Sequence, residues 1–322
     1  MLTGSDAGAS IEQELESHRR ALTGYCYRML GSGAEAEDAV QESMVRAWKG
    51  AERLEDRAAL KSWLYRIAGN VCFDMLQGSQ RRAQPMDLGP ASSADSALGP
   101  SEHAWVQPIA DARVLAPETD PAELAASRET LRLAFVAALQ HLPPRQRAVL
   151  ILREVLRWQA SEVAELLDTS VASVNSALQR ARATLAALEL DMGGAPAVGS
   201  EQEELMTRYV DAFERYDITS LVALLHEDAT FSMPPFPLWL RGPEEVSRFM
   251  LGQGIHCRGS RLLATSANGG PAVGIYHPAG TDAYEPWAIV VLELSAERIT
   301  GLHHFLYPDL FAEFGLPAQL ER

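Results

Sequence analysis

Two sets of side chains in this 322-residue chain have the types and spacing to do chemistry. The first is a recognition set. In "TSVASVNSALQRARATL" (169–185), Ser173, Asn175, Ser176, Gln179, Arg180 and Arg182 share one side of a helical pattern, and Val171, Val174, Ala177, Leu178, Ala181 and Leu185 the other. Hydroxyls and amides so placed can hydrogen-bond base edges in a major groove, and guanidinium groups can reach phosphate. The second set could do acid–base work: Tyr209, Asp211, His256, His303, His304 and Tyr307, with Trp239 and Trp287 as apolar walls. None of these stands at a spacing that catalysis demands. His303 and His304 are neighbours in a strand pattern and so face opposite sides. Sequence reading assigns no catalytic residue, no cofactor and no metal site.

The recognition set needs a helix-turn-helix to present it. Residues 160–167 and 171–188 read as two helices about three residues apart, the spacing of that motif. Val163, Leu166, Leu167, Val174, Leu178 and Ala181 are its expected core, with small Ala164 at the crossing. Ser161 is the expected cap of the first helix, and Thr169 or Ser170 of the second. Asp168 occupies a turn where Gly is common. An ordinary helical hairpin with a solvated polar face has the same pattern, so this segment alone leaves both open.

Upstream, residues 10–80 read as helices. Ser10 and Gln13 have the spacing of a capping box. "GSGAEAEDAVQESMVRAWKG" carries Ala39, Val40, Met44, Val45 and Trp48 on its apolar side and Asp38, Gln41 and Glu42 on another. In "AALKSWLYRIAGNVCFDMLQGSQRR", Leu60, Trp63, Leu64, Ile67, Ala68, Val71, Cys72 and Met75 follow the helical period, with Gly78 as a stop. Arg66, Asn70 and Asp74 fall at i, i+4 and i+8 opposite that stripe, a face that suits either a surface ion pair or an unstacked base. Residues 83–127 are rich in Pro, Ala, Ser and Asp and read as a linker, in which "HAWVQPI" is apolar enough to dock. One helix is expected over "PAELAASRETLRLAFVAALQHL", another over "PRQRAVLILREVL". Beyond residue 200, helices ("EELMTRYVDAFERYD", "ITSLVALLHEDATFSM") give way to alternating runs ("RLLATSA", "AVGIYH", "WAIVVLEL", "RITGLHHFLY"). That order predicts an α+β domain with a curved antiparallel sheet.

Net charge is −15, which by itself speaks against nucleic acid. The charge is uneven: −1 over 1–82, −6 over 83–127, +1 over 128–191 and −9 over 192–322. The two helical blocks are therefore free to meet DNA, while acid in the C-terminal third could mask Arg81, Arg82, Arg180 and Arg182 by mimicking phosphate. Cys26, Cys72 and Cys257 lie far apart in sequence without a CxxC, and read as buried thiols of a reducing cytoplasm. The first twenty residues have no apolar signal region, and no run is long enough to span a membrane.

Taken together, these segments resemble the sigma-70 family of bacterial transcription initiation factors, and its extracytoplasmic-function group in particular. "AEAEDAVQESMVRAW" resembles the family's helix for docking on polymerase, which implies that Asp38, Gln41, Glu42 and Trp48 meet core RNA polymerase at its beta-prime clamp. "LKSWLYRIAGNVCFDMLQGSQRR" resembles the −10 segment, which gives Trp63, Arg66, Asn70 and Asp74 to bases and Arg81 and Arg82 to phosphates. "LPPRQRAVLILREVLRWQASEVAELLDTSVASVNSALQRARATL" resembles the −35 reader, which also implies a contact with the beta flap. Asn175 and Ala177 depart from a pattern in which basic residues are common there, so a weaker, less salt-steep DNA contact is expected. "YVDAFERYDITSLVALLHEDATFSMPPF" and "GLHHFLYPDLF" resemble SnoaL-like domains, which share the cone-shaped α+β fold of ketosteroid isomerase and nuclear transport factor 2. The whole chain is similar to the sigma factors that carry this domain, in their SigG-like branch.

The resemblance implies a multidomain fold. A helical-bundle sigma domain spans 10–82, a linker 83–127, a helix-turn-helix sigma domain 128–191 and a SnoaL-like domain 200–322. It implies a cytoplasmic, non-enzymatic factor with core polymerase and promoter DNA as partners and no membrane. The C-terminal domain is expected to regulate in place of a separate anti-sigma protein. Tyr209, Asp211, Trp239, His256, Trp287, His303 and Tyr307 are its candidate pocket for a small molecule. The alternative function is a ligand-controlled helix-turn-helix regulator that works without core polymerase; an isomerase-like enzyme is a third.

Overall fold

The computed structural model describes residues 4–54, 56–99, 101–116, 120–188, 200–295 and 297–321. Contacts divide the chain into two bodies that alternate along it: Met1–Arg82 with Arg113–Met192, and Ala83–Ala112 with Gly193–Arg322.

The first body opens with α1 (Gly4–Leu30), α2 (Gly33–Gly50) and α3 (Leu60–Leu76). α1 is already helical at Gly4, so Ser10 lies inside it and not at its start. α2 is capped instead by Ser32, whose Oγ accepts from the Glu35 N–H at 3.3 Å. From the α3 stripe, Leu60, Leu64, Ala68, Val71 and Cys72 are buried, whereas Trp63, Ile67 and Met75 are only half-buried. Two of the cysteines, remote in sequence, meet here: the buried Cys72 and Cys26 thiols are hydrogen-bonded across α3 and α1, which pushes the Cys72 pKa up.

After α4 (Asp111–Val114) come α5 (Pro121–Glu129), α6 (Leu133–Leu139), α7 (Pro144–Leu150) with a π turn at Ile151–Val155, α8 (Ala160–Leu166) and α9 (Val171–Ala186). The single helix expected over 121–142 is thus broken between α5 and α6. The cause is tertiary. Buried Arg28 of α1 donates to the Thr130 carbonyl at 3.1 Å and to its hydroxyl at 2.8 Å, groups at the break. A second buried arginine, Arg147 of α7, donates to the Met29 carbonyl, to Gln140 Oε1 at 2.7 Å and to the Leu142 carbonyl at 3.1 Å. Burial lowers both guanidinium pKa values to about 10. These two side chains join the first helical half to the second.

The second body is α+β. Its helices are α10 (Ser200–Glu214), α11 (Ile218–Val222), α12 (Pro243–Leu251) and α13 (Leu310–Glu313). Its strands are β1 (Leu225–Ser232), β2 (Trp239–Arg241), β3 (Arg261–Ala267), β4 (Gly270–Ala279), β5 (Ala283–Leu294), β6 (Ile299–Phe305) and β7 (Leu320–Glu321). The sheet order is β2-β1-β6-β5-β4-β3, with β7 on the start of β5. Every adjacent pair is antiparallel except β1 and β6, which run parallel. The expected all-antiparallel sheet is corrected to a mixed one, because the long crossover from β1 through β2 to β5 returns β6 in the same direction. "HEDATFSM", read as helix, is β1: Ala229, Phe231 and Met233 alternate inward and the sheet claims them. Tyr209, Phe213, Phe231, Phe249, Val273, Val290 and Leu302 belong to the core between helices and sheet.

The segment read as a linker divides. Residues Ala83–Ala112 belong to the second body. Ala94 is 2% exposed and part of that body's core. Ala110 pairs with Ala267 at the end of β3. Trp105 and Val106, from the apolar "HAWVQPI", are buried.

Candidate functional site

Asp38, Gln41, Glu42, Val45 and Trp48 share one face of α2, since steps of three and four residues stack on a helix. All five are exposed, Val45 to 40% and Trp48 to 56%. Sequence reading placed Val45 and Trp48 on the buried side; the core instead takes Ala39, Val40 and Met44. The signal was available: Val45 is four residues from Gln41 and three from Glu42. Two large apolar side chains among acid and amide groups make a surface that water serves poorly.

The outward face of α3 is occupied within its own body. Arg66 donates to the Glu165 carbonyl of α8 at 3.1 Å. Asp74 lies 3.7 Å from Arg46, which Glu42 holds at 2.7 Å. Asn70 is exposed, and Trp63 is half-buried beside Gly50. Arg81 meets His141 at 2.7 Å and Arg82 pairs with Glu35 at 2.5 Å. Next to Arg66, Tyr65 packs edge-on against Trp158 at 5.1 Å, and the Lys61 ammonium sits 5.6 Å from the Trp158 ring centre. Sequence reading missed Lys61, Tyr65 and Trp158. Nothing in the helical period marks Trp158, which follows the π turn and a left-handed Arg157 (φ 61°).

α8 and α9 form the helix-turn-helix. Val163, Leu166, Val174, Leu178 and Ala181 are buried as its core and Leu167 is half-buried; Val171, read as apolar-side, is 44% exposed. Gln159, not Ser161, caps α8, with the Glu162 carboxylate accepting from the Gln159 N–H at 2.6 Å. Ser170 caps α9 by accepting from the Ser173 N–H at 3.1 Å. Asp168 takes φ 50° in the turn, a conformation Asp tolerates better than most side chains. Asn175, Ser176, Gln179 and Arg180 are exposed together on the outer face of α9. The Ser173 hydroxyl shares a 2.9 Å hydrogen bond with Ser170, and Arg182 pairs with Glu154. The arrangement offers amide donors and acceptors in one exposed row along a capped helix, fit for a groove.

The candidate pocket residues of the second body do not converge. Tyr209 is buried in the core, and its hydroxyl finds no partner among the described residues. Asp211 is outside, paired with Arg215 at 2.5 Å. Trp239 donates to the Gly89 carbonyl at 3.0 Å. His256 is exposed, Tyr307 half-buried, and Trp287 lies stacked on His277 with ring centres 4.2 Å apart. His303 shares a 2.9 Å hydrogen bond with Ser232, and its other nitrogen lies 3.6 Å from the Glu293 carboxylate. Gly301 is required beside them, because a Cβ there would stand 2.8 Å from the His303 ring. Hydroxyl, imidazole and carboxylate have the order of an activated nucleophile. Ser232 is 1% and His303 2% exposed, however, so the hydroxyl is closed to a substrate. His304, on the opposite side of β6, packs on Phe231 at 4.4 Å. Among the described residues no cluster is placed to hold a metal ion, and no described helix is long and apolar enough to cross a membrane.

Known proteins show the same three-part organisation. Residues 15–82 match the family Sigma-70 region 2, residues 132–185 match Sigma-70, region 4, and residues 206–302 match the SnoaL-like domain. Over 312 residues the chain is 43% identical to the ECF RNA polymerase sigma factor SigG of Mycobacterium tuberculosis, a match covering 95% of this chain and 83% of that one. It is 26% identical over 313 residues to SigJ of the same organism, covering 92% of each. The crystal structure of M. tuberculosis SigJ superposes with a TM-score of 0.60 at 25% identity, over 95% of this chain and 99% of that one.

Proposed function

The chain belongs to the extracytoplasmic-function sigma factors of the sigma-70 family, and from that premise we propose how its parts divide the work of promoter recognition. It is a transcription factor that directs core RNA polymerase to promoters; bond-making is left to the polymerase. The α2 face of Asp38, Gln41, Glu42, Val45 and Trp48 docks on the polymerase clamp. α3 reads the −10 element through Trp63, Arg66, Asn70 and Asp74, with Arg81 and Arg82 on the backbone. α9 reads −35 through Ser173, Asn175, Ser176 and Gln179, with Arg180 and Arg182 on phosphate. The C-terminal domain regulates and does not catalyse: its candidate acid–base groups are dispersed, and the one ordered set is shut away from solvent.

The observation that carries the docking assignment is the exposure of Val45 and Trp48 together on α2. Exposed aromatic residues at the centre of a patch behave as hot spots worth about 2 kcal/mol or more in a complex. Titration of fluorescently labelled full-length chain with purified core polymerase should give a tight, stoichiometric complex. Trp48→Ala should weaken it by about tenfold or more, and Ser62→Ala, away from this face, should not. Equal binding by Trp48→Ala and the parent chain would remove α2 from the interface. No binding by any form would leave a regulator that meets duplex DNA unaided.

The free chain is also held in a form that cannot yet read. Arg66 answers the α8 backbone, and Trp158 covers Lys61 and Tyr65 on the same helix as Trp63 and Asn70. We infer that polymerase must part α3 from α8 before −10 can be read.

A further inference from the structure

Among the described residues, four other than glycine take the left-handed backbone: Arg157 (φ 61°), Asp168 (φ 50°), Tyr216 (φ 54°) and Asn268 (φ 54°). That region is crowded for a side chain, and a residue with a Cβ stays there only when something else at the position requires it. Three of the four have their reason on view. Asp and Asn tolerate the conformation better than most. Tyr216 is anchored by its hydroxyl, which the Met250 and Gly254 carbonyl oxygens hold at 2.6 and 2.8 Å. Arg157 has neither reason. It is exposed, and its guanidinium makes no hydrogen bond or ion pair among the described residues.

The turn that carries Arg157 is fixed on its other sides. The Leu156 N–H donates to the Ile151 carbonyl at 2.9 Å, the Trp158 N–H donates to the Leu152 carbonyl at 3.0 Å, and Arg153 donates to the Trp158 carbonyl. The Trp158 ring is buried while Arg157 faces water, and the next residue, Gln159, caps α8. Glycine would make the same reversal without steric cost. The backbone therefore gains nothing from an arginine here; what arginine adds is a charged fork of donors. The turn is also tied to the reading helix. Glu154, three residues before Arg157, pairs with Arg182 of α9. Arg182 lies in one row with Asn175 and Gln179, at steps of four and three. A helix about 10–12 Å across fills a major groove about 12 Å wide, so what stands beside the helix meets the phosphate wall. The first half of α9 carries Ser173, Asn175 and Ser176 and no charge. Charge for the phosphates has to come from its flanks. There Glu154 and Arg182 neutralise each other and Arg153 is spent on a carbonyl, which leaves Arg157 as the turn's available cation.

We propose that Arg157 is a phosphate clamp of the −35 reader: its guanidinium takes a backbone phosphate at the edge of the groove that α9 enters. The contact sets the position of α9 in the groove and carries no base preference. Because the turn is held before DNA arrives, little is lost in ordering it. This rests on the sigma-factor reading above, and adds to it a DNA contact made outside the recognition helix.

The test uses the full chain on core polymerase and a promoter duplex that the parent holoenzyme selects from a randomised pool. The parent is compared with Arg157→Lys, Arg157→Gln and Arg157→Gly. Ethylation of one phosphate flanking the −35 element should block binding by the parent; with Gln or Gly that position should fall silent while the others remain. Arg157→Gln should bind the duplex about tenfold more weakly, as for one hydrogen bond between charged groups, and its log–log salt slope should shrink by about 1. Arg157→Lys keeps the charge and should keep the slope. Arg157→Gly should lose affinity as Gln does yet melt no lower than the parent, since glycine suits the left-handed turn better than arginine. An unchanged slope and ethylation pattern in Arg157→Gln would overturn the clamp. So would weaker polymerase binding with the phosphate contact intact, which would place Arg157 on the polymerase, or a Gly form that melts lower, which would make it part of the fold. Absence of any complex between the parent holoenzyme and duplex would instead overturn the sigma reading beneath it.

Discussion

His304 shows how one buried side chain sets a condition on the whole C-terminal domain. Burial, with His303 adding to it, pushes its pKa down to about 4. In the unfolded chain an imidazole titrates near 6.5, so between about pH 6.5 and 4 the unfolded state takes a proton that the folded state refuses. Stability contributed by neutral His304 is full above that window and is lost as pH falls through it, by about 1 kcal/mol per pH unit. Denaturant unfolding at pH 7 and pH 5 should show this loss in the parent chain and a shallower one in His304→Phe. An unchanged slope in the variant would assign the loss to other groups. Arg28 and Arg147 carry a different lesson at the same scale. Each is buried among carbonyl, hydroxyl and amide oxygens, and each joins residues more than a hundred positions apart. Such a group is legible in sequence only as a charge, never as a clasp.

Among the elements, helices were read well where one face decided them and badly where a remote partner did. α2, α3, α8 and α9 follow their apolar periods, and β3 occupies the "RLLATSA" run residue for residue. The break between α5 and α6 was invisible, because Arg28 makes it from another helix. β1 was hidden because its neighbours in the sheet, β2 and β6, are distant in sequence. The α9 face was legible as a polar stripe; the α2 face was half misread, because Val45 and Trp48 look like core until their angle is weighed. The contact of α3 with α8 had no sequence signature at all, and its anchor is Trp158. Removing that ring should cost about 3–5 kcal/mol, the range for emptying a large buried aromatic site. In Trp158→Ala, amide exchange should quicken in α3 around Tyr65 and Arg66 and in α8. Protection unchanged in α3 would mean that the two arginines alone hold the halves together.

At the scale of the whole molecule, the chain crosses between its two bodies, so domain order and chain order disagree. Each body has its own core, and bodies with separate cores unfold in separate transitions. Denaturant melting followed by tryptophan emission should resolve two steps, with Ala94→Arg lowering the midpoint of one and sparing the other. A single step moved as a unit would show that the cores are coupled. The interleaving also has a consequence in time. Residues 83–112 leave the ribosome before the seat that receives Ala94 and Ile109 exists. The remaining 113–322 take about 10–40 s to make at about 5–20 residues per second. During that interval the Ala94 and Ile109 N–H groups, which Glu245 and Asn268 will later accept from, are left to water. A message cut short before Glu245 and Asn268 would yield a chain in which residues 83–112 never find the partners that order them.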